Sequence, residues 1–159
     1  MAFEAMTPRD VAALLACART LAHAASAGTT QPLLRGKNFG LMCEADDGGD
    51  GEAALFRRAA QDLGAHVAHI RTSLSASSTP HEIQHTARLL GRLYDAVECQ
   101  GMAAALVQRV GEDAGVPVFA GVASATHPTA GLAAQLAGET APSDARRFVL
   151  QAVLLATLA

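Results

Sequence analysis

Aromatic side chains are scarce in this chain of 159 residues, which has no Trp, one Tyr and five Phe. The hydrophobic core must therefore be built from small aliphatic side chains, which favours helices packed closely on a flat sheet. Half of the residues are apolar, which is enough for one hydrophobic core but hardly for two. We therefore expect a single domain over residues 1–159.

Basic residues are also few, and their distribution argues against one class of partner. Twelve Lys and Arg are scattered among fifteen Asp and Glu, whereas a nucleic-acid-binding surface needs clustered positive charge. No apolar run approaches the ~20 residues of a membrane-spanning helix. The acidic Glu4 is untypical of the start of a secretory signal. We expect a cytoplasmic protein without nucleic-acid or membrane partners.

Three cysteines are an odd number, and their spacing matches neither a disulfide framework nor a zinc site. We interpret Cys17, Cys43 and Cys99 as small buried side chains in a reducing compartment.

Helix and strand signals alternate along the chain. Thr7, Pro8 and Asp10 are typical of a helix start, and residues 38–44 form a short apolar run typical of a strand buried on both faces. Such alternation predicts right-handed crossovers and the α/β class, here a three-layer αβα fold with a four-stranded parallel sheet flanked by helices. The later strands are expected at 65–70, 96–99 and 116–120, and the later helices from about Ala53, after Thr79, and over 101–114.

The last segment, residues 143–159, is a helix that is apolar around most of its circumference. A surface of this kind has to be covered by its own domain or by another chain. We expect this terminal helix to pack back on the domain.

One string of residues matches a zinc motif. His81, Glu82 and His85 form an H-E-x-x-H pattern, which on a helix presents two imidazoles and a glutamate base to Zn²⁺. The string lies in the first turn after Pro80, however, where Glu82 is the capping-box partner of Thr79. A zinc hydrolase is therefore our third hypothesis, and we predict no metal and no cofactor.

A glycine-rich loop follows the first strand and leads into a helix, which is where ligands bind in open α/β sheets. Its backbone N–H groups could face an anion, but its three aspartates would repel a phosphate. An acid-capped helix start and a cation site are the alternative interpretations. The candidate ligand-binding residues of this loop are Gly48, Gly49, Asp50 and Gly51.

Two further polar groups follow the third and fourth strands. Gln100 ends the third strand, and His127 and Thr129 come after the fourth. Because the carboxyl ends of parallel strands meet at one edge of a sheet, we expect all three to contribute to ligand binding. His127 is also the candidate catalytic residue, and a purely structural hydrogen-bonding role is the alternative.

Four segments carry a family resemblance: 64–67, 85–95, 114–118 and 127–129, of which 85–95 contains the string T-A-R-x-L-G-R-x-Y-D and 127–129 reads H-P-T. In order and spacing they resemble the amino-terminal half of the aspartate and ornithine carbamoyltransferases, most closely the ornithine enzymes, from about Leu34 to Leu136. The resemblance implies a carbamoyl-phosphate domain, a catalytic trimer, and substrate bound at the strand ends between neighbouring chains. In the family a second domain of similar size follows and binds the amino acid acceptor.

The resemblance also implies a site that has lost its phosphate ligands. The family binds carbamoyl phosphate with an S-T-R-T-R motif, whereas the corresponding residues 46–52 include no Ser, Thr or Arg. Gln100 stands where the family has an arginine, and Ala130 replaces the glutamine of H-P-T-Q. Each lost guanidinium–phosphate contact removes roughly 1.5–3 kcal/mol. Only the His127 side chain persists as a carbonyl donor.

We therefore expect a stand-alone carbamoyltransferase-like domain that has lost carbamoyl-phosphate transfer and acts as a small-molecule-binding or assembly protein. The expected partners are further copies of the chain, in a homotrimer, and a small anionic or carbamoyl-like ligand. The alternative is a divergent carbamoyltransferase of amino acid metabolism that a partner chain completes. The sequence leaves open whether the chain is an enzyme.

Overall fold

The computed structural model describes residues 3–43, 51–136 and 138–158. Two 3₁₀ segments, Phe3–Ala5 and Ala130–Leu136, accompany the regular elements. The strands are β1 (Asn38–Cys43), β2 (His66–Ile70), β3 (Ala96–Gln100) and β4 (Val118–Ala120). The helices are α1 (Pro8–Ser26), α2 (Glu52–Asp62), α3 (Pro80–Leu93), α4 (Ala104–Ala114) and α5 (Pro142–Leu158).

The four strands form one parallel sheet, as predicted, and the structure shows their order to be β2-β1-β3-β4. Phe39 of β1 pairs with Val67 of β2 and with Ala96 of β3, and Val97 pairs with Val118 of β4. The central strands β1 and β3 are buried on both faces because helices cover both faces. The predicted three-layer αβα fold is confirmed.

Two separate hydrophobic clusters lie on opposite faces of the sheet. The larger one joins the sheet to α1, α2 and α5, and at its centre the rings of Phe39 and Phe56 meet edge to face with centroids 5.7 Å apart. The smaller one joins the sheet to α3 and α4 through side chains such as Met42, Ile83 and Val110. Each helix layer therefore has its own core.

Helix starts follow the sequence signals closely. Thr79 Oγ1 accepts the Glu82 N–H at 3.2 Å, and Glu82 Oε2 accepts the Thr79 N–H at 3.0 Å, which completes the predicted capping box. The helix predicted from Gly101 begins only at Ala104. Gly101 has a φ of 71°, a left-handed conformation that cannot open an α-helix.

Helix α5 packs against α1 and α2. Gln151, buried within α5, donates from Nε2 to the Ala59 carbonyl oxygen of α2 at 3.1 Å, and Arg147 forms ion pairs with Asp62 and Asp144. These contacts cover the apolar surface of the helix. Across the described ranges, no helix has the length and hydropathy that crossing a membrane requires.

Cys43 and Cys99 are buried, as expected, whereas Cys17 on α1 is partly exposed.

Candidate functional site

A cleft of about 840 Å³ opens beyond the carboxyl ends of β3 and β4. One wall is the loop 121–129 that follows β4, and another is the 3₁₀ segment Phe3–Ala5. The polar side chains that line the cleft are those of Glu4, Glu52, Ser124, Thr126, His127 and Thr157.

His127 is held in one tautomer by Thr129. The Thr129 Oγ1 lies 2.8 Å from His127 Nδ1, and the Thr129 backbone N–H donates to the same nitrogen at 3.3 Å. Because a backbone N–H can only donate, Nδ1 must be an acceptor, and the proton of the neutral imidazole is therefore on Nε2. This leaves Nε2–H as the ring donor on a residue that lines the cleft.

The protonation state of His127 suits that role. Burial, and after it the positive charge of Arg146, lower the pKa of His127 below its ordinary value, and Glu4 acts weakly in the opposite direction. The imidazole is therefore neutral at neutral pH, and it can donate one hydrogen bond to a carbonyl oxygen without carrying a charge.

An aromatic contact fixes the plane of the imidazole ring. The Phe3 ring meets the His127 ring edge to face, with centroids 5.1 Å apart, and also lies 6.5 Å from the Phe119 ring. The amino-terminal 3₁₀ segment thus packs directly against the candidate site. No local sequence signal pairs Phe3 with a residue so distant in the chain.

The charged side chains that line the cleft are acidic. Within the described part of the chain, the charged side chains that line it are Glu4 and Glu52, and neither Lys nor Arg is among them. Carboxylates in a partly enclosed cleft oppose the binding of a phosphate and favour neutral or hydrogen-bond-donating ligands.

Glu98 is a site residue that the sequence analysis missed. Its side chain has no exposed surface, and its carboxylate accepts the N–H groups of Val122 at 3.1 Å and Ala123 at 3.3 Å. Burial raises the pKa of Glu98 to about 8, against the opposing effect of these hydrogen bonds. The available signal was one acidic residue in the middle of a short, mostly apolar strand.

The residues predicted for the site occupy different positions relative to the cleft. Gly51 is the N-cap of α2, beside Glu52, whereas Gly48, Gly49 and Asp50 lie outside the described residues. Gln100 is only 8% exposed and does not line the cleft, although its neighbours Cys99 and Gly101 do.

Thr129 acts through another residue. It is fully buried, and its hydroxyl contacts His127. Of the predicted ligand-binding side chains that the structure describes, that of His127 is the one that lines the cleft.

The H-E-x-x-H string lies on the surface of α3. His81 and His85 are exposed, and Glu82 is engaged in the capping box with Thr79. Among the residues that the structure describes, no group of three His, Cys, Asp or Glu side chains could hold a metal ion.

Fold and cleft together define a class: a parallel-sheet α/β domain with a cleft at the carboxyl edge of its sheet. The model of the carbamoyl-phosphate binding domain of aspartate/ornithine carbamoyltransferases matches residues 1–137. The ornithine carbamoyltransferase of Actinobacillus pleuropneumoniae is 41% identical over 80% of this chain, and that of Cutibacterium acnes is 40% identical over 78%. The chain belongs to the aspartate/ornithine carbamoyltransferase family.

Solved structures agree with this fold. The ornithine carbamoyltransferase of Pyrococcus furiosus superposes with a TM-score of 0.67 at 23% identity, over 82% of this chain and 41% of that one. A Trypanosoma cruzi aspartate transcarbamoylase superposes with a TM-score of 0.66 at 20% identity, over 84% of this chain and 42% of that one. The chain spans 37% and 36% of the lengths of the two bacterial enzymes it matches in sequence.

Proposed function

We propose that this domain binds a small neutral ligand with a carboxamide or ureido group and that it does not transfer a carbamoyl group from carbamoyl phosphate. One observation carries the proposal. In its described part, the cleft is lined by two carboxylates and by a histidine whose ring donor is Nε2–H, and no basic side chain lines it.

The chemistry of the lining matches such a group. A carboxamide or urea carries a carbonyl oxygen, which accepts from the Nε2–H of His127, and an NH₂ group, which donates to Glu4 or Glu52. A phosphate offers only acceptors and negative charge, and both carboxylates repel it. Of the two ligand classes expected from the sequence, anionic and carbamoyl-like, the lining favours the second.

The sequence also argues against the binding of carbamoyl phosphate. Residues 46–52, which correspond to the family's S-T-R-T-R motif, contain no Ser, Thr or Arg, and Gln100 stands in the place of an arginine. Losing several charge-assisted contacts, each worth roughly 1.5–3 kcal/mol, lowers the affinity for carbamoyl phosphate by several powers of ten.

The test is calorimetry with carbamoyl phosphate and with a panel of primary carboxamides and ureido compounds. We expect no binding of carbamoyl phosphate and binding of at least one panel compound. His127→Ala should weaken that binding roughly tenfold, the value of one hydrogen bond. His85→Ala, which removes an exposed imidazole on α3, is the matched control and should bind as the unaltered chain does. Micromolar affinity for carbamoyl phosphate, or a panel without a binder, would contradict the proposal.

A second candidate function is a transferase completed by a partner chain. It is favoured by the tautomer of His127, whose Nε2–H can donate to a carbonyl oxygen. The measurement is phosphate release from carbamoyl phosphate, with ornithine as acceptor, by the chain purified together with its cellular partners. Activity lost in His127→Ala would support this function, and release no faster than without protein would exclude it.

We also propose that the chain assembles as a homotrimer. The chain belongs to a family whose catalytic unit, as the resemblance implies, is a trimer, and this membership supports the proposal.

A further inference from the structure

The loop 121–129, which carries His127, has little regular structure of its own. The backbone–backbone hydrogen bonds within the loop close turns. The Ser124 N–H donates to the Gly121 carbonyl oxygen at 2.9 Å, and the His127 N–H donates to the Ser124 carbonyl oxygen at 3.2 Å. Neither a strand nor a helix fixes the position of His127. Groups outside the loop must therefore contribute to holding it.

Two ionisable side chains, one buried and one half-buried, hold this loop from different elements. On β3, the Glu98 carboxylate accepts the N–H groups of Val122 and Ala123. On α5, Arg146 donates from Nη2 to the carbonyl oxygens of Val122 at 3.0 Å and Ser124 at 2.9 Å. The peptide group between Val122 and Ala123 is thus bonded from both sides: its N–H donates to the Glu98 carboxylate, and its carbonyl oxygen accepts from Arg146.

The guanidinium of Arg146 is placed for this role. It is half-buried, and its Nη1 has no hydrogen-bond partner among the described residues. Burial lowers the pKa of Arg146, and the negative charges of Glu52 and Glu98 oppose that effect. A cation in such a position is retained by the backbone carbonyls and the acids that surround it.

We infer that Glu98 and Arg146 are positioning residues for His127, which hold the loop 121–129 by its N–H groups and by its carbonyl oxygens. Neither residue needs to touch the ligand. The inference rests on the proposed function in one respect, which is that His127 presents its Nε2–H to the cleft. It adds that the ionisation of Glu98 regulates that site.

Ionisation of Glu98 changes how firmly the loop is held. A carboxylate accepts hydrogen bonds with both oxygens at full strength, whereas the protonated form accepts more weakly. Because the pKa of Glu98 is raised to about 8, this change falls between about pH 7 and 9. The other titratable groups that act on this network are Arg146, Glu52, Cys99, His127 and Glu4.

The experiment is ¹⁵N NMR of the imidazole nitrogens in the whole chain, with His127 assigned by comparison with His127→Ala. In the unaltered protein we expect the Nε2–H tautomer and, beyond the protonation of His127 itself, a second inflection near pH 8. Glu98→Gln should remove that inflection, and Arg146→Met should reduce the preference for the Nε2–H tautomer. Arg146→Lys, which keeps a donor and the charge, should partly restore the preference.

The matched control is Gln151→Leu. Gln151 lies on α5 like Arg146 and is buried, but it bonds to α2 rather than to the loop. This variant should change stability and leave the His127 resonances unchanged. An unaltered protein without an inflection near pH 8, or Glu98 and Arg146 variants that fold and keep the His127 spectrum, would overturn the inference. If the spectra are as expected but no carboxamide binds, the proposed function alone is wrong.

Discussion

At the scale of single residues, Glu98 departs furthest from ordinary protein chemistry. A fully buried carboxyl in a central strand loses its hydrogen bonds to water, and the two backbone N–H groups that donate to it replace those bonds only in part. Such a group in a hydrophobic core costs stability. Its geometry beside the candidate site gives a reason for its presence.

The effect of Glu98 on the free energy of unfolding depends on pH. The pKa of Glu98 is about 8 in the folded protein, above its ordinary value of 4.5, so the folded state binds this proton more tightly. The contribution of Glu98 to stability is therefore full below about pH 4.5 and is lost as the pH rises through 8. Between pH 5 and 9 the free energy of unfolding should fall by roughly 2–4 kcal/mol more in the unaltered chain than in Glu98→Gln.

Urea unfolding at pH 5, 7 and 9 measures this difference. The control is Glu112→Gln, which changes an exposed glutamate of α4 and should leave the pH dependence as it is in the unaltered chain. Parallel pH profiles for the unaltered chain and Glu98→Gln would show that Glu98 is ionised throughout.

At the scale of the elements, a glycine sets the distance between α3 and α4. A Cβ on Gly91 of α3 would lie 1.8 Å from the carbonyl oxygen of Ala114, the last residue of α4. Backbone atoms cannot move aside as a flexible side chain does. Gly91 belongs to the T-A-R-x-L-G-R-x-Y-D string, so a part of that family signature maintains helix packing.

Gly91→Ala should therefore destabilise the domain, by about 2–4 kcal/mol or enough to prevent folding, because the two helices must separate. Gly111→Ala is the matched control. Gly111 lies in the middle of α4, and the nearest atom to an added Cβ is 3.7 Å away. The free energy of unfolding of Gly111→Ala should rise by up to about 1 kcal/mol, because Ala has a higher helix propensity than Gly. Thermal unfolding of both variants, followed by circular dichroism, measures the contrast, and equal melting temperatures would disprove the close approach.

At the scale of the whole molecule, the chain has the family's carbamoyl-phosphate binding domain and 37% of the length of a full relative. Within the described ranges, its cleft offers acids and a neutral histidine where a phosphate would need basic residues. The acidic lining supports the proposal that the domain binds a ligand and does not transfer a carbamoyl group from carbamoyl phosphate.

Light scattering tests the proposed assembly. At micromolar protein concentration we expect a mass near three times the 16.3 kDa of one chain. The measurement should be repeated after tenfold dilution, because a specific trimer keeps its mass over such a range while weak association does not. A monomer mass at the higher concentration would contradict the trimer.

The sequence by itself determined the order and type of the elements. Thr7 and Thr79 with their capping partners define helix starts, the apolar run of β1 indicates a strand covered on both sides, and the motif string around Gly91 identifies the family. These features depend on residues close together in the chain, and local hydrogen bonding and burial decide them wherever the segment lies. The late start of α4 departs from the prediction because Gly101 adopts a left-handed conformation.

Only the tertiary structure decided the site. Phe3 and Glu4 reach His127 from the opposite end of the sequence, and Glu98 and Arg146 meet at one loop from a strand and a helix far apart in the chain. Such contacts follow from how the layers pack, and no periodicity or spacing encodes them. The burial that raises the pKa of Glu98 arises in the same way, because solvent exclusion exists only once the sheet and its helices have come together.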